Sequence, residues 1–269
     1  MARDIVGEFE GHIAVVTGGA SGIGEGCARR LAEGGAKVII ADINLKKAKE
    51  VAAAINGHAM EIDVADDKAV EQFAETCESD IGPVSSVITS AGVLQPPLPP
   101  DKLSLETWDR VMNIDFRGTY LTCRAFGPRM AKRGRGSIVT IASVTASLSV
   151  PLHSYAPAKS AVVSLTRTLA AEWGRSGVRI NAISPGATWT AALEEAVAKG
   201  ERNVKGLEEV SCMGRLLTTA EIGNAAAFLC SDQSSGITGI DLVVDAGWIA
   251  GGAWHAYNGI RASSATSET

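Results

Sequence analysis

The stretch T-G-G-A-S-G-I-G occupies residues 17–24 and links a short apolar run to a helical pattern. Gly18 permits a sharp turn out of the preceding strand, Gly22 lets the backbone approach a pyrophosphate, and Gly24 lets the helix pack closely. Phosphates held there would lie at the positive amino end of the helix. With a strand before it and a helix after it, this turn predicts a dinucleotide site. The predicted contacts in this turn are Gly18, Ser21, Gly22, Ile23 and Gly24.

Short apolar runs alternate with helical patterns along the rest of the chain as well. The runs are almost continuously apolar, which is typical of strands buried on both faces. This order predicts an α/β fold: a Rossmann-like, doubly wound parallel β-sheet with helices on both faces, as a single domain over residues 1–269. The predicted strands are residues 12–17, 37–41, 58–62, 84–89, 137–142, 179–183 and 241–245. The predicted helices are residues 23–33, 45–55, 67–77, 105–133 with a break at 116–118, and 154–173.

Two segments stand outside this alternation. Residues 187–214 follow a Pro-Gly turn, and their length predicts a functional loop of short helices that covers the substrate. Residues 251–269 form a tail whose last residues are expected to be disordered. Trp254 and Tyr257 in this tail pack either on a neighbouring subunit or on the chain's own surface.

Composition narrows the class of protein. The 269 residues are 46% hydrophobic and carry a net charge of -5, with no basic run for a nucleic-acid backbone. No apolar run approaches the roughly 18 residues of a membrane span, and the first ten residues do not resemble a signal peptide. The five cysteines are dispersed, without metal-ligand spacing, as expected of buried thiols in a reducing compartment. We expect a cytoplasmic protein without a metal, a membrane partner or a nucleic-acid partner.

Asp42 ends the second predicted strand, about twenty residues past the glycines, where a carboxylate accepts hydrogen bonds from an adenosine ribose diol. The same carboxylate would repel a 2′-phosphate, by up to about 4 kcal/mol per pair of unit charges at an effective dielectric of about 20. Residues 17–24 contain no Arg or Lys to offset this repulsion. The predicted cofactor is therefore NAD rather than NADP.

Residues after the third and fourth strands complete the predicted nucleotide site. Asp63 and Val64 either meet the adenine or, in the case of Asp63, cap the next helix. The small residues that follow the fourth strand would let the backbone approach the dinucleotide at the carboxyl edge of the sheet. These small residues are Ser90, Ala91 and Gly92.

Tyr155 and Lys159 lie four positions apart at the start of a predicted helix, on one face of it. Pro157 is tolerated only in a first turn, so the helix begins near Ser154, a good N-cap residue. Lowering a tyrosine pKa from about 10 to about 7 requires about 4 kcal/mol of phenolate stabilisation, which a nearby ammonium supplies, helped by a positive nicotinamide. Tyr155 is thus predicted as general base for alcohol oxidation and general acid for ketone reduction.

These motifs, taken together from Gly11 to Gly247, resemble the short-chain dehydrogenase/reductase family in its single-domain form. The resemblance implies that Tyr155 transfers the proton, that Ser143 hydrogen-bonds the substrate oxygen, and that Lys159 binds the nicotinamide ribose. It implies that Asn113 holds a water in a proton relay. Hydride would pass directly between substrate and nicotinamide without a metal. The resemblance also implies a nicotinamide contact from Pro185, Gly186 and either Thr188 or Thr190.

The resemblance further implies a homotetramer, and two departures from the family pattern touch none of the proton-transfer residues. Ser90 stands where an asparagine is common, and the last strand ends V-D-A-G-W instead of V-D-G-G.

The substrate pocket is the least determined part of the sequence. His153 either hydrogen-bonds a substrate hydroxyl or caps its own loop. We expect a small secondary alcohol, or a polyol, and its ketone. The alternatives are a reductase of 3-ketoacyl thioesters, which Asp42 disfavours, and a non-catalytic dinucleotide-binding regulator, which the presence of Tyr155 and Lys159 disfavours. The predicted lining residues are Gln95, Ser143, Thr145, His153 and Trp189.

Overall fold

The structure is a computed structural model, which describes residues 7–200 and 202–261. Seven parallel strands form one sheet in the order β3-β2-β1-β4-β5-β6-β7. The predicted fold class, a doubly wound parallel sheet in a single domain, is confirmed. The strands are β1 (Ile13–Thr17), β2 (Lys37–Asp42), β3 (His58–Glu61), β4 (Ser86–Thr89), β5 (Gly136–Ile141), β6 (Val178–Pro185) and β7 (Asp241–Val244).

Helices connect the strands and cover both faces of the sheet. Most of them begin with a residue whose side chain caps the helix. At the start of α3, for example, the Asp66 carboxylate accepts hydrogen bonds from the N–H groups of Lys68 and Ala69. The helices are α1 (Gly22–Glu33), α2 (Leu45–Ala54), α3 (Asp67–Thr76), α4 (Leu105–Val111), α5 (Thr119–Arg133), α6 (Tyr155–Trp173), α7 (Ala191–Ala198), α8 (Val204–Val210), α9 (Thr219–Cys230) and α10 (Trp248–Gly251).

Alternate residues of the central strands enter two separate hydrophobic cores. Val16 of β1 packs with α1 and α9 on one face, whereas its neighbour Val15 packs with α3 and α5 on the other. Both are fully buried. Because both faces of the sheet are covered, the strands read as continuous apolar runs in the sequence.

The sequence prediction missed α9, although its start carries a capping signal. The Thr218 side chain accepts from the N–H of Glu221, and the Glu221 carboxylate accepts from the N–H of Thr218. α9 crosses α1 at Gly26 and Gly223. A Cβ at Gly223 would lie 2.6 Å from the carbonyl oxygen of Gly26, so the crossing depends on glycine.

The predicted break at residues 116–118 is wrong. A π-helical segment, Met112–Gly118, joins α4 to α5 without interruption. π-Helical turns often occur at functional sites because they shift side chains around the helix axis.

The two segments outside the alternation are the predicted loop at residues 187–214 and the tail that begins at residue 251. The predicted loop contains α7 and α8, and the backbone of Trp189 donates to the carbonyl oxygen of Leu217 at 2.7 Å. In the tail, Trp254 and Tyr257 are 44% and 80% exposed, so neither packs deeply on its own subunit. The predicted disorder falls on residues 262–269, outside the described residues. Within the described residues, no helix is both long and apolar enough to cross a bilayer.

Candidate active site

A cavity of about 460 Å³ lies at the carboxyl edge of the sheet. It opens beside β1 and β4, adjacent strands whose connections run to opposite sides, which is where ligands of open α/β sheets bind. It is lined by these predicted site residues: Gly18, Ser21, Gly22, Ile23, Gly24, Asp42, Asp63, Val64, Ser90, Ala91, Gly92, Ser143, Tyr155, Lys159, Pro185, Gly186 and Thr190.

The glycine turn forms the floor of one end of the cavity. Gly18 and Gly22 have φ angles of 65° and 56°, a region that other residues rarely adopt. A Cβ at Gly18 would lie 2.7 Å from the backbone of Ala91, and one at Gly24 would collide with the carbonyl oxygen of Gly18. The Ser21 side chain makes no capping bond to α1. The amino end of α1 therefore faces the cavity without a protein side chain capping it.

Two carboxylates stand at the same end. Asp42 accepts from the N–H of Ala20 at 3.1 Å and from the N–H of Asn44 at 2.9 Å, which fixes its orientation on the cavity wall. Asp63 accepts from the N–H of Ala65 at 2.9 Å. Since Asp66 caps α3, the capping alternative for Asp63 is wrong, and its side chain stays on the cavity lining.

The other end of the cavity brings together Ser143, Tyr155 and Lys159. Ser143 follows β5 and is 7% exposed, whereas Tyr155 begins α6 and stays partly exposed at the cavity. The Lys159 Nζ lies 5.3 Å from the centroid of the Tyr155 ring and donates to the carbonyl oxygen of Ile141 at 3.1 Å. The predicted spacing thus places the phenol and the ammonium side by side.

The charges around Tyr155 differ from the simple expectation. Burial raises the pKa of Tyr155 and outweighs the lowering by the Lys159 ammonium. The Asp115 carboxylate raises this pKa further, and a hydrogen bond with the Ser143 side chain lowers it. The expected lowering of the Tyr155 pKa by the Lys159 ammonium is therefore outweighed mainly by burial, and the Asp115 carboxylate beside that ammonium opposes it further.

That carboxylate corrects the prediction for Asn113. Asn113 is exposed and does not line the cavity, whereas Asp115 is fully buried and its Oδ2 lies 3.2 Å from the Lys159 Nζ. Residues two positions apart do not share a face of a helix, so Asp115 faces Lys159 while Asn113 faces solvent. The pattern M-N-I-D-F contains two polar residues, and the structure brings Asp115 rather than Asn113 to Lys159.

Five other predicted residues lie away from the cavity lining. The Gln95 side-chain oxygen accepts from the N–H groups of Ser154 and Tyr155, at 2.6 and 3.1 Å, and so caps α6 in place of Ser154. Thr188 is buried and donates to the carbonyl oxygen of Gly186, so of the two threonines only Thr190 lines the cavity. The remaining predicted residues outside the lining are Thr145, which is buried, and His153 and Trp189, which are exposed.

The sequence prediction also missed part of the lining. Arg110 and Ile114 lie one turn apart on the helix before Asp115, and Leu94 follows the small residues after β4. Ala192 lies in the first turn of α7. Arg110 and Ile114 are spaced i, i+4 and so share one face of the helix. This spacing would have predicted both as lining residues if the face turned to the cavity had been known.

The fold and the glycine turn define a Rossmann-like α/β protein with its site at the strand ends. The family model described as enoyl-(acyl carrier protein) reductase matches residues 18–249. D-threitol dehydrogenase of Mycolicibacterium smegmatis is 38% identical over 248 residues, which cover 89% of this chain and 94% of that protein.

Solved structures agree on the architecture. A Brucella melitensis 16M protein described as ribose-5-phosphate isomerase is 47% identical, with a TM-score of 0.94 over 95% of this chain and 99% of that chain. A protein described as a short chain dehydrogenase/reductase family protein is 33% identical, with a TM-score of 0.82 over 90% of this chain and 99% of that chain. The chain belongs to the short-chain dehydrogenase/reductase family, whose dehydrogenases use nicotinamide dinucleotides.

Proposed function

We propose that the protein is an NAD(H)-dependent oxidoreductase that interconverts a small secondary alcohol, most favourably a polyol, and its ketone. The observation that carries this proposal is one cavity with a glycine turn at one end and Tyr155 beside Ser143 and Lys159 at the other. A phenol beside both a hydroxyl group and an ammonium is suited to moving a proton to or from a substrate oxygen.

The lining fits a dinucleotide. Side chains are absent from the turn at Gly18 and Gly24, and the amino end of α1 favours an anion. When bound, the dinucleotide supplies the hydride acceptor for oxidation and the hydride donor for reduction. Tyr155 then takes or gives the proton at the substrate oxygen, Ser143 holds that oxygen by a hydrogen bond, and the Lys159 ammonium offers its remaining N–H to ribose hydroxyls.

Preference for NAD over NADP rests on Asp42. Its carboxylate is held on the cavity wall by two backbone N–H groups, at 3.1 and 2.9 Å, and leaves lone pairs for a ribose diol. A 2′-phosphate there would meet this negative charge. Residues 17–24 contain no Arg or Lys that would attract the phosphate.

The substrate class rests on the relatives. The curated relatives include dehydrogenases of polyols and of a cyclic diol. Thr190 and Ala192, at the start of α7, close one side of the cavity next to Pro185.

A substrate and cofactor screen tests the proposal. We expect the purified protein to reduce NAD⁺ with threitol or galactitol, and to use NADP⁺ at least ten-fold less efficiently in kcat/KM. Binding of NADH without turnover of any alcohol or ketone would support the regulator instead. Reduction of an acetoacetyl thioester with NADPH in preference to ketones would support the thioester reductase. Isomerisation of ribose 5-phosphate without nucleotide would support an isomerase.

We also propose a cytoplasmic homotetramer. Trp108 and Tyr120 are 37% and 42% exposed on α4 and α5, and Phe228 and Val243 are 38% and 41% exposed on α9 and the edge strand β7. Two separate exposed apolar surfaces are what two kinds of symmetric contact require. Light scattering that gives the mass of one chain would contradict the tetramer.

A further inference from the structure

Asp115 is a buried carboxylate next to the proton-transfer residues. Its side chain is 0% exposed, and its Oδ1 accepts from the N–H of Val93 at 2.9 Å. Its Oδ2 lies 3.2 Å from the Lys159 Nζ and has no hydrogen-bond partner in good geometry. A Cβ at Gly92 would lie 2.8 Å from that oxygen, so glycine at this position leaves the space that the carboxylate occupies.

Asp115 and Lys159 are counter-ions of each other. The Lys159 side chain is only 6% exposed, and its other protein partner is the neutral carbonyl oxygen of Ile141. Isolated charges this deeply buried are unfavourable, and each compensates the other. The ammonium that faces the Tyr155 ring is therefore not a free positive charge.

We propose that Asp115 is a positioning residue whose carboxylate holds the Lys159 ammonium against Tyr155 and cancels part of its charge there, so that Tyr155 keeps its proton to higher pH than it would beside an unpaired lysine. The inference rests on the proposed role of Tyr155. It adds that this site is biased towards the protonated phenol, the general acid for ketone reduction. Alcohol oxidation, which needs the phenolate as base, is then favoured by alkaline conditions.

The charges that reach Tyr155 are few. Lys159 lowers its pKa and Asp115 raises it, with burial as the largest cause of the raised value. Burial alone would lower the pKa of Lys159, but Asp115 and Tyr155 raise it above its usual value, which keeps the ammonium charged. The elements packed against α6 are α4, the π-helical segment, α5, β5, β6 and the turns Val144–Ala146 and Gly174–Ser176. Of their charged side chains, those in the described cavity lining are Arg110 of α4 and Asp115 itself.

The more distant charged groups cannot replace this pair. Asp42 and Asp63 line the cavity at its glycine end, and Arg110 lines it on the helix before Asp115. His153 precedes Tyr155 by two residues and is exposed. Charges in contact with water are screened, so their influence on the phenol is smaller than that of a carboxylate in the same buried cluster.

The substitution Asp115→Asn tests the proposal because an amide keeps an oxygen for the Val93 N–H and loses the charge. The chain has 3 tyrosines, so Tyr120→Phe and Tyr257→Phe leave Tyr155 as the sole source of tyrosinate absorbance. In that background, we expect Asp115→Asn to lower the midpoint of the tyrosinate titration by about one pH unit or more. Asp109→Asn, at an exposed position of α4, is the matched control and should leave the midpoint unchanged.

A midpoint that is unchanged or raised in Asp115→Asn would overturn the proposal. The rising limb of alcohol oxidation against pH should move down with the titration midpoint, whereas a merely structural defect would lower the rate at every pH. If Asp115→Asn alone does not fold, the double variant Lys159→Met/Asp115→Asn removes both charges of the pair. Because the two charges offset each other at Tyr155, its midpoint should stay within about one pH unit of the parent, and a larger rise would overturn the inference.

The titration requires no turnover, so it separates this inference from the proposed function. A shifted midpoint without activity on any alcohol would support the charge pair and count against the oxidoreductase. Activity on an alcohol with an unshifted midpoint would support the oxidoreductase and count against the proposed role of Asp115.

Discussion

The two ends of the cavity are built in different ways. The glycine end is formed mainly by backbone: Gly18 and Gly22 take left-handed conformations, and Asp42 is held by two N–H groups. The tyrosine end is formed by side chains that meet from distant segments, including the buried pair of Lys159 and Asp115 at 3.2 Å. A backbone site is specified locally by turn residues, whereas a side-chain site depends on packing between elements. The two ends should therefore respond to mutation differently.

The largest expected effect is at the tyrosine end. Tyr155→Phe removes only the phenolic oxygen, so we expect kcat to fall by about 10² to 10⁴-fold while the dissociation constant for NADH changes little. Steady-state kinetics and fluorescence titration with NADH measure the two quantities. Tyr257→Phe, at a position that is 80% exposed, is the control and should keep full activity. Substantial turnover by Tyr155→Phe would remove the phenol from the mechanism.

A smaller effect is expected at the glycine end. Asp42→Ala removes the charge that would repel a 2′-phosphate, so the ratio of kcat/KM for NAD⁺ over NADP⁺ should fall by about ten- to a hundred-fold. KM for both cofactors should rise, because the carboxylate also holds the N–H groups of Ala20 and Asn44. The loss of these hydrogen bonds affects both cofactors alike, so a change in the ratio of kcat/KM reports the removal of the charge alone.

Glu61→Ala is the matched control for Asp42. Glu61 pairs with Asp42 across β2 and β3, is exposed, and does not line the cavity. Its removal takes away one negative charge from the same sheet edge without touching the nucleotide site. A cofactor ratio that is unchanged in Asp42→Ala, or altered as much in Glu61→Ala, would contradict the ribose assignment.

The same contrast explains what the sequence could predict. Strand positions, the glycine turn and Asp42 follow from local patterns, because turn conformation and burial on both faces leave a direct signature in residue type. Asp115 does not follow from a local pattern, because its role depends on which helix face meets α6. Gln95 does not either, because its hydrogen bond to Tyr155 joins positions about sixty residues apart in the chain. Asp115 lies in the π-helical segment Met112–Gly118, and no local signal in the sequence indicated that segment.

Gln95 offers the subtlest test, since it acts on Tyr155 only through the helix. Gln95→Leu would leave the N–H groups of Ser154 and Tyr155 without their buried acceptor, which we expect to lower the free energy of unfolding by about 2 to 4 kcal/mol. The displaced start of α6 should reduce kcat by on the order of ten-fold, with little change in KM for NAD⁺. Denaturant unfolding and steady-state kinetics measure both.

Gln95→Glu is the matched variant for this prediction, because a carboxylate keeps the acceptor and its negative charge suits the amino end of α6. It should retain most of the stability and the rate that Gln95→Leu loses. If both variants lose activity equally, the amide of Gln95 has a role beyond accepting these bonds, such as its donation to the carbonyl oxygen of Pro96 at 3.2 Å. If neither loses stability, the tyrosine end does not depend on this long-range contact, and the contrast between a locally built and a packed end of the cavity fails at this residue.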